Sequence, residues 1–363
     1  MKKISLGKGG IPDLVLCVFF LGAIFAPHLP SAPRIVSTEN RVMTQKPVPD
    51  FSSLEKLKNF PKEYEAYFND NFGFRNFLVR SGARIKLLYL QISPAPGVLV
   101  GKKGWYYYNG DRVYDGSPIS NYRGLGLYDE RTLRGIRRKL EKQRIWLAAR
   151  GIRYLIFLAP DKPTIYPEFM PDSIRVVSRR TRTDQLFDYL KKTDSRVRIL
   201  DLRNELVRGK GLYPVYYKTD HHWNRFGGFI AAQSVVQELS HDYPELEPFS
   251  ISNYEVTLQK QTSVTDLAEM MAMPRELDDD EVMFRLKPET LSDPSQYRRK
   301  SPKILIFHES FINCVLPFLQ DHFADIQETR WDAFSVLDYG LIEHLKPDVV
   351  ILELEESYQG ALG

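Results

Sequence analysis

Residues Arg153–Ala159 read RYLIFLA, six apolar side chains in succession behind one arginine. A strand with one face in water alternates polar and apolar residues; a strand covered on both faces does not. Val197–Leu202 (VRILDL), Lys303–Phe307 (KILIF) and Asp348–Leu354 (DVVILEL) have a similar texture. Helical patterns separate these runs. Within Arg131–Arg150, Leu133, Ile136, Leu140 and Leu147 recur at helical spacing, which assigns the basic residues crowded there to the solvated side, and Gly151 is a suitable stop. Thr181–Lys192 reads as a second helix. Asn224–Leu239 reads as a third, with Phe229, Ala232, Val236 and Leu239 on one face. Phe311–Phe323, where Pro317 should kink or end the helix, and a short stretch around Ser335–His344 complete the set. Strands and amphipathic helices in alternation predict an α/β fold, a mainly parallel sheet with helices on both faces.

Outward from this core, the N-terminus begins Met-Lys-Lys and becomes almost wholly apolar over Leu14–Ala26. A basic flank before an apolar run has the form of an export signal. The expectation is a signal anchor, or a signal peptide, over residues 1–30, with Lys2, Lys3 and Lys8 inside and the rest outside the cytoplasm. Residues 31–54, rich in Pro, Ser and Thr, read as a linker, and 55–363 as one catalytic-size domain. A helical pattern covers Pro61–Gln91 with a break at Asn71–Gly73; Gly104–Tyr108 reads as a strand, 110–130 as a surface loop and 275–300 as an excursion from the core. A formal net charge of only +4 gives no argument for nucleic acid. The two cysteines, Cys17 and Cys314, build no disulfide framework.

In sheets of this kind chemistry gathers in loops at the carboxyl ends of the strands. Two segments there stand out: Thr219-Asp220-His221-His222-Trp223-Asn224 ahead of a helix, and Phe307-His308-Glu309-Ser310-Phe311 at a strand-to-helix junction. A serine at such a junction has its Oγ exposed and the free N–H groups of the next helix at hand. It needs a base, for which histidine is suited near neutral pH, and the base needs a carboxylate to hold its tautomer. That assigns Ser310 as nucleophile, His222 as base and Asp220 as orienter. Each piece has a plainer reading: Ser310 as an N-cap, and Asp-x-His as a capping and packing feature. Asp220, His221 and His222 also suit a metal, but adjacent side chains diverge and no second ligand cluster has matching spacing, so neither metal nor cofactor is expected.

Taken together, the two segments resemble the alginate O-acetyltransferase group (AlgJ and AlgX) and the related DHHW proteins. Phe60–Arg75 (FPKEYEAYFNDNFGFR), Gly97–Tyr108 (GVLVGKKGWYYY), Ala159–Pro171 (APDKPTIYPEFMP), Asp266–Met271 (DLAEMM) and Leu316–Phe323 (LPFLQDHF) are in that group's style, so the likeness covers roughly residues 55–356. It implies an SGNH-hydrolase-like (flavodoxin-like) three-layer sandwich. It also implies Ser310, His222 and Asp220 in the roles above, in the chain order Asp, His, Ser that this group has and ordinary SGNH hydrolases do not. His308-Glu309-Ser310 stands where SGNH enzymes have Gly-Asp-Ser, and the carbohydrate-binding module that some relatives carry at the C-terminus is not expected here. The implied function is O-acetyl transfer to an exopolysaccharide. The implied partners are a polysaccharide acceptor, a membrane-bound O-acyltransferase as acetyl donor, other exopolysaccharide biosynthesis and export proteins, and the inner membrane. The implied location is the periplasmic face of that membrane, or the periplasm after cleavage. An acetyl esterase and a non-catalytic scaffold or glycan-binding subunit are the alternatives. Lys162, Tyr166 and Arg203, which follow strand ends, are candidates for holding an anionic sugar such as a uronate, against structural roles. Trp223 is read either as a stacking face for a sugar ring or as a buried aromatic flanking the histidine.

Overall fold

The computed structural model describes residues 10–25, 44–110, 117–261, 263–274, 276–277, 279–290, 301–331 and 336–363. The chain divides into two units, Met1–Pro94 with Glu269–Pro274, and Ala95–Ala268 with Arg275–Gly363.

The first unit is helical. Gly10–Phe25 is a 16-residue helix, about 24 Å long at ~1.5 Å per residue, against the ~30 Å of a bilayer core. No helix among the described residues is long and apolar enough to cross a membrane. The expected anchor falls partly on residues 1–9 and 26–30, outside the described residues. Leu54–Asn71 starts earlier than the sequence pattern indicates because Ser53 caps it, accepting a hydrogen bond from Lys56 N–H. The break falls where expected. Phe74 takes a left-handed φ of 66°, and a new helix, Arg75–Arg84, continues into one π-helical turn, Ile85–Tyr89.

The second unit holds the sheet. Strands β1 (Val98–Val100) and β2 (Tyr106–Tyr108) form a small antiparallel hairpin. Then come β3 (Arg153–Ala159), β4 (Arg198–Asp201), the antiparallel ribbon β5 (Tyr254–Lys260) and β6 (Asp280–Leu286), and finally β7 (Ile304–His308), β8 (Ile326–Arg330) and β9 (Val349–Glu355). Five of these make one parallel sheet in the order β4-β3-β9-β7-β8. Alternate residues of the apolar runs serve opposite faces. Leu155, Phe157, Ile304, Ile306 and Ile351 pack with helices Arg225–Leu239 and Ile312–Leu319. Ile156, Leu158, Leu305, Phe307 and Leu352 pack with Glu130–Ala148, Arg182–Lys192 and Tyr339–Leu345. The result is the expected three layers.

Read from its other edge, the sheet runs β8-β7-β9-β3-β4. Counting strands from β7, that is the doubly wound order 2-1-3-4-5, with the chain entering at the fourth strand. The permutation explains why Asp and His precede Ser in this sequence. It also puts the switch point, where such sheets open a crevice, between β7 and β9, and Ser310 follows β7 directly.

Several elements differ from the sequence reading. Strands β5, β6 and β8 were not expected: β5 and β8 carry mostly exposed or half-buried polar residues, and the apolar run of β6 is only Val282–Phe284, although Val282 reaches the core. Pro118–Tyr122, capped by Ser117, is a helix inside the stretch read as loop. The helix containing Pro317 runs two residues past it and stops at Leu319.

Candidate active site

Asn224 shapes the first motif. Its side-chain oxygen accepts from Phe226 N–H (3.0 Å) and Gly227 N–H (3.1 Å), starting the helix Arg225–Leu239, while its own N–H donates to Val215 O at 3.1 Å. The segment between Val215 and Asn224 is thereby closed into a loop. Lys162 fills it: Nζ donates to the carbonyls of Tyr217 (3.0 Å), Lys218 (3.0 Å) and Asp220 (2.7 Å). Burial brings the Lys162 ammonium down to about 8, opposed by the attraction of Asp266, Asp220 and Asp279.

In that loop the Asp220 carboxylate accepts from the His222 backbone N–H at 3.0 Å and faces its Nδ1 at 2.6 Å; Asp266 N–H donates to the other carboxylate oxygen at 3.1 Å. His222 Nε2 lies 2.7 Å from Ser310 Oγ. Burial pushes the Asp220 carboxyl up, but the hydrogen bond and charge of His222, helped by His221, outweigh it and hold the group well below the ordinary carboxylate range. Side-chain exposures of 23% for His222 and 17% for Asp220 leave the site open at one side.

Helix packing brings the two motifs together. Gly228 sits so close to the Ser310 helix that a Cβ there would fall 2.1 Å from the Cys314 carbonyl oxygen. Trp223 Nε1 donates to Phe311 O at 2.8 Å, and Cys314 Sγ donates to Trp223 O at 3.6 Å. On the serine side, Glu309 N–H donates to Glu353 at 2.6 Å, fixing the turn before Ser310. Glu353 is fully buried at the end of β9, and burial raises its carboxyl to about 8. His308 is also buried; its ring pairs with Glu328 on β8 and faces Glu309 O at 2.7 Å.

A second pair adjoins the first. His221 gives its backbone N–H to Asp266 at 2.9 Å and pairs with the same carboxylate through Nδ1. Its ring centroid is 3.8 Å from that of His222. Donor atoms of Asp220, His221, His222 and Asp266 all lie within 4.8 Å of one another, a set whose residue types fit a metal. The side chains of His221 and His222 converge here, contrary to the divergence expected of adjacent residues, because Asp266 and Asp220 each hold one of them through Nδ1. Asp266 was not singled out from the sequence: it comes from 44 residues beyond His222 (266 less 222), and only the fold puts it there.

The other sequence candidates sit in the structural places weighed for them and not in sugar-holding ones. Trp223 is fully buried with its edge toward Phe311, so it offers no face to a sugar. Lys162 spends its donors on backbone carbonyls. Tyr166 is buried; its hydroxyl accepts from Val215 N–H at 3.0 Å and its ring packs 4.1 Å from Trp105. Arg203 is paired with Asp201 at 2.6 Å and Asp184 at 2.7 Å. All four hold the scaffold, three of them next to the Asp220 loop. Tyr108 of β2, which the sequence reading did not select, has its ring 5.7 Å from His221 and is half-buried.

Comparison with known proteins bears on this geometry. A family described as "SGNH hydrolase-like domain, acetyltransferase AlgX" matches residues 98–298. The probable alginate O-acetylase AlgJ of Pseudomonas syringae pv. tomato is 26% identical over 188 residues, 52% of this chain and 44% of that one. The protein of the same name from Pseudomonas aeruginosa is 25% identical over 201 residues, 53% and 47% of the two chains. The chain thus spans less than half the length of these relatives. Among solved structures, PatB1 of Bacillus cereus superposes with a TM-score of 0.52 at 13% identity, covering 72% of this chain and 96% of that one. AlgX of Pseudomonas aeruginosa superposes with a TM-score of 0.50 at 15% identity, covering 73% and 64%. At such identities the superpositions speak to the fold.

Proposed function

The chain belongs to the SGNH hydrolase-like domain family of the acetyltransferase AlgX, and on that premise we propose that it transfers acetyl groups to an exopolysaccharide through an acyl-enzyme on Ser310. The observation that carries this reading is the continuous path Ser310 Oγ to His222 Nε2 (2.7 Å) and His222 Nδ1 to Asp220 (2.6 Å).

In the first step His222 Nε2 takes the Ser310 proton as Oγ attacks the acetyl carbonyl of the donor. The negative charge that develops on the carbonyl oxygen faces the opening turn of helix Ile312–Leu319, whose first N–H groups have no partner within the helix. Collapse expels the donor's leaving atom, which takes the proton back from His222. In the second step a sugar hydroxyl gives its proton to His222 and attacks the acetyl carbon, and Ser310 Oγ leaves and recovers a proton. Asp220, kept anionic, steadies the imidazolium in both steps. Tyr108, half-buried beside His221, is the side chain we assign to the sugar ring.

The donor in this reading is a membrane-bound O-acyltransferase and the acceptor a polymer handled by export proteins. The catalytic unit sits outside the cytoplasm, as the basic flank and apolar run of residues 1–26 suggest. A fluorophosphonate probe and a chromogenic acetyl ester test the reading. Labelling and ester turnover by the wild type, both lost by about ten-thousandfold or more in Ser310→Ala, support an enzyme. Absence of labelling in both the wild type and Ser310→Ala sinks it in favour of a scaffold. Faster ester consumption with an oligouronate present, and acetyl appearing on the sugar, marks a transferase; acetate alone marks an esterase.

A further inference from the structure

Between Asp70 and Asp111 the chain contains no acidic residue. The part of this stretch in the first unit, helix Arg75–Arg84 with its π-turn and the residues up to Ile92, carries Arg75, Arg80, Arg84 and Lys86. Arg80, Arg84 and Lys86 have no acidic partner among the described residues. Between these cations the apolar side chains face outward. Phe77 is 66% exposed, Leu78 53%, Ile85 54%, Leu88 50%, Tyr89 80% and Ile92 56%. Leu78, Ile85 and Leu88 follow at steps of seven and three residues on one helical face, and Ile92 stands exposed just past its end. Only Ala83 and Leu87 are buried in the whole segment. A face this apolar is not left to water without a use.

We propose that this segment lies on the surface of a bilayer rich in anionic lipid, its apolar face in the acyl-chain boundary and its cations among the headgroups. Two observations favour lipid over a protein groove. First, apolar residues flanked by basic ones, without a single acid, are what an anionic interface selects. Second, the same unit holds helix Gly10–Phe25, whose described side chains from Pro12 to Phe25 are exposed on every side and nearly all apolar. A helix apolar all round needs an apolar medium, and a bilayer serves both segments. The inference is independent of any role for Ser310.

The test uses the full chain with Cys17→Ser and Leu88→Cys, labelled with an environment-sensitive fluorophore at neutral pH. Cys314 is spared because burial pushes its thiol up to about 12. Tyr89→Cys is the parallel probe should the first fold poorly, and Leu212→Cys, 68% exposed in the other unit, is the control. In phosphatidylglycerol vesicles the probe at 88 or 89 should shift to the blue and be quenched by spin-labelled lipid; in phosphatidylcholine vesicles both effects should be lost. Raising the salt to about 1 M, where the screening length is ~3 Å, should weaken them, and Arg80/Arg84/Lys86→Glu should abolish them. Equal behaviour in both lipids overturns the proposal, as does an unmoved probe in phosphatidylglycerol. A probe covered only in native membranes, and not in protein-free vesicles, overturns it in favour of a protein partner.

Discussion

Asp220 and Asp266 hold their histidines in the same way: each carboxylate takes both the backbone N–H and the ring Nδ1 of its partner. They differ in where the outer ring nitrogen goes. His222 Nε2 meets Ser310 Oγ, a residue 88 positions away. His221 Nε2 meets no protein group among the described residues, and its ring lies against Tyr108, His222 and Phe311. A histidine–aspartate pair by itself, whether made within one loop or across the fold, therefore says little about function. What separates the two pairs is the third contact, which depends on helix Arg225–Leu239 packing on helix Ile312–Leu319 through Gly228.

The sharpest way to break this distinction is to neutralise each carboxylate in turn. Asp220→Asn keeps the shape but offers Nδ1 a donor in place of an acceptor on one side, and removes the charge that steadies the imidazolium. Acetyl-ester turnover should fall by about a thousand- to ten-thousandfold with folding intact. Asp266→Asn keeps the backbone N–H that supports Asp220, so turnover should fall only severalfold. Equal losses, measured as kcat on the same ester, would mean that the second pair takes part in the chemistry. Between these extremes lies Lys162→Met. It strands three carbonyls of the Asp220 loop, at about 1–3 kcal/mol for each one left without a donor. The melting temperature should drop by several degrees. Turnover should fall about ten- to a hundredfold, mainly in kcat, because Asp220 loses the tie at its own carbonyl.

Much of this was legible before any coordinates. The strands buried on both faces announce themselves as unbroken apolar runs, and Asn224 and Thr181 stand where helix caps are observed. The residues of the Asp220–His222–Ser310 path are short polar side chains at strand and helix ends, where chemistry has few other places to go. Three things did not show. Strand β8, Ile326–Arg330 (IQETR), is an edge strand whose mostly exposed polar side chains carry no apolar signal. Asp266 is tied to His221 only through the fold. Lys162, which follows a strand, was open to holding an anionic sugar or to a structural role, and spacing did not say that its long side chain turns inward to serve a neighbouring loop. Exposure, not residue type, decides between those uses, and one-dimensional spacing does not report it.

The smallest expected effect on turnover belongs to His221→Gln, and its pH dependence makes it informative. Burial pushes the His221 imidazole down, but the charge and hydrogen bond of Asp266 outweigh this, and the net shift is upward from 6.5. The folded chain therefore keeps a proton there at pH values where the unfolded chain has shed it. The stabilisation from this pair is complete below about pH 6.5 and is lost as the pH rises through the native value. Thermal unfolding of wild type and His221→Gln should thus differ most near pH 6 and converge as the pH climbs past neutrality, while turnover changes by no more than a fewfold. A gap that widened with rising pH would show the imidazole to be held neutral. A loss of turnover as large as that of Asp220→Asn would mean that two imidazoles, tilted against each other with centroids 3.8 Å apart, act as one base.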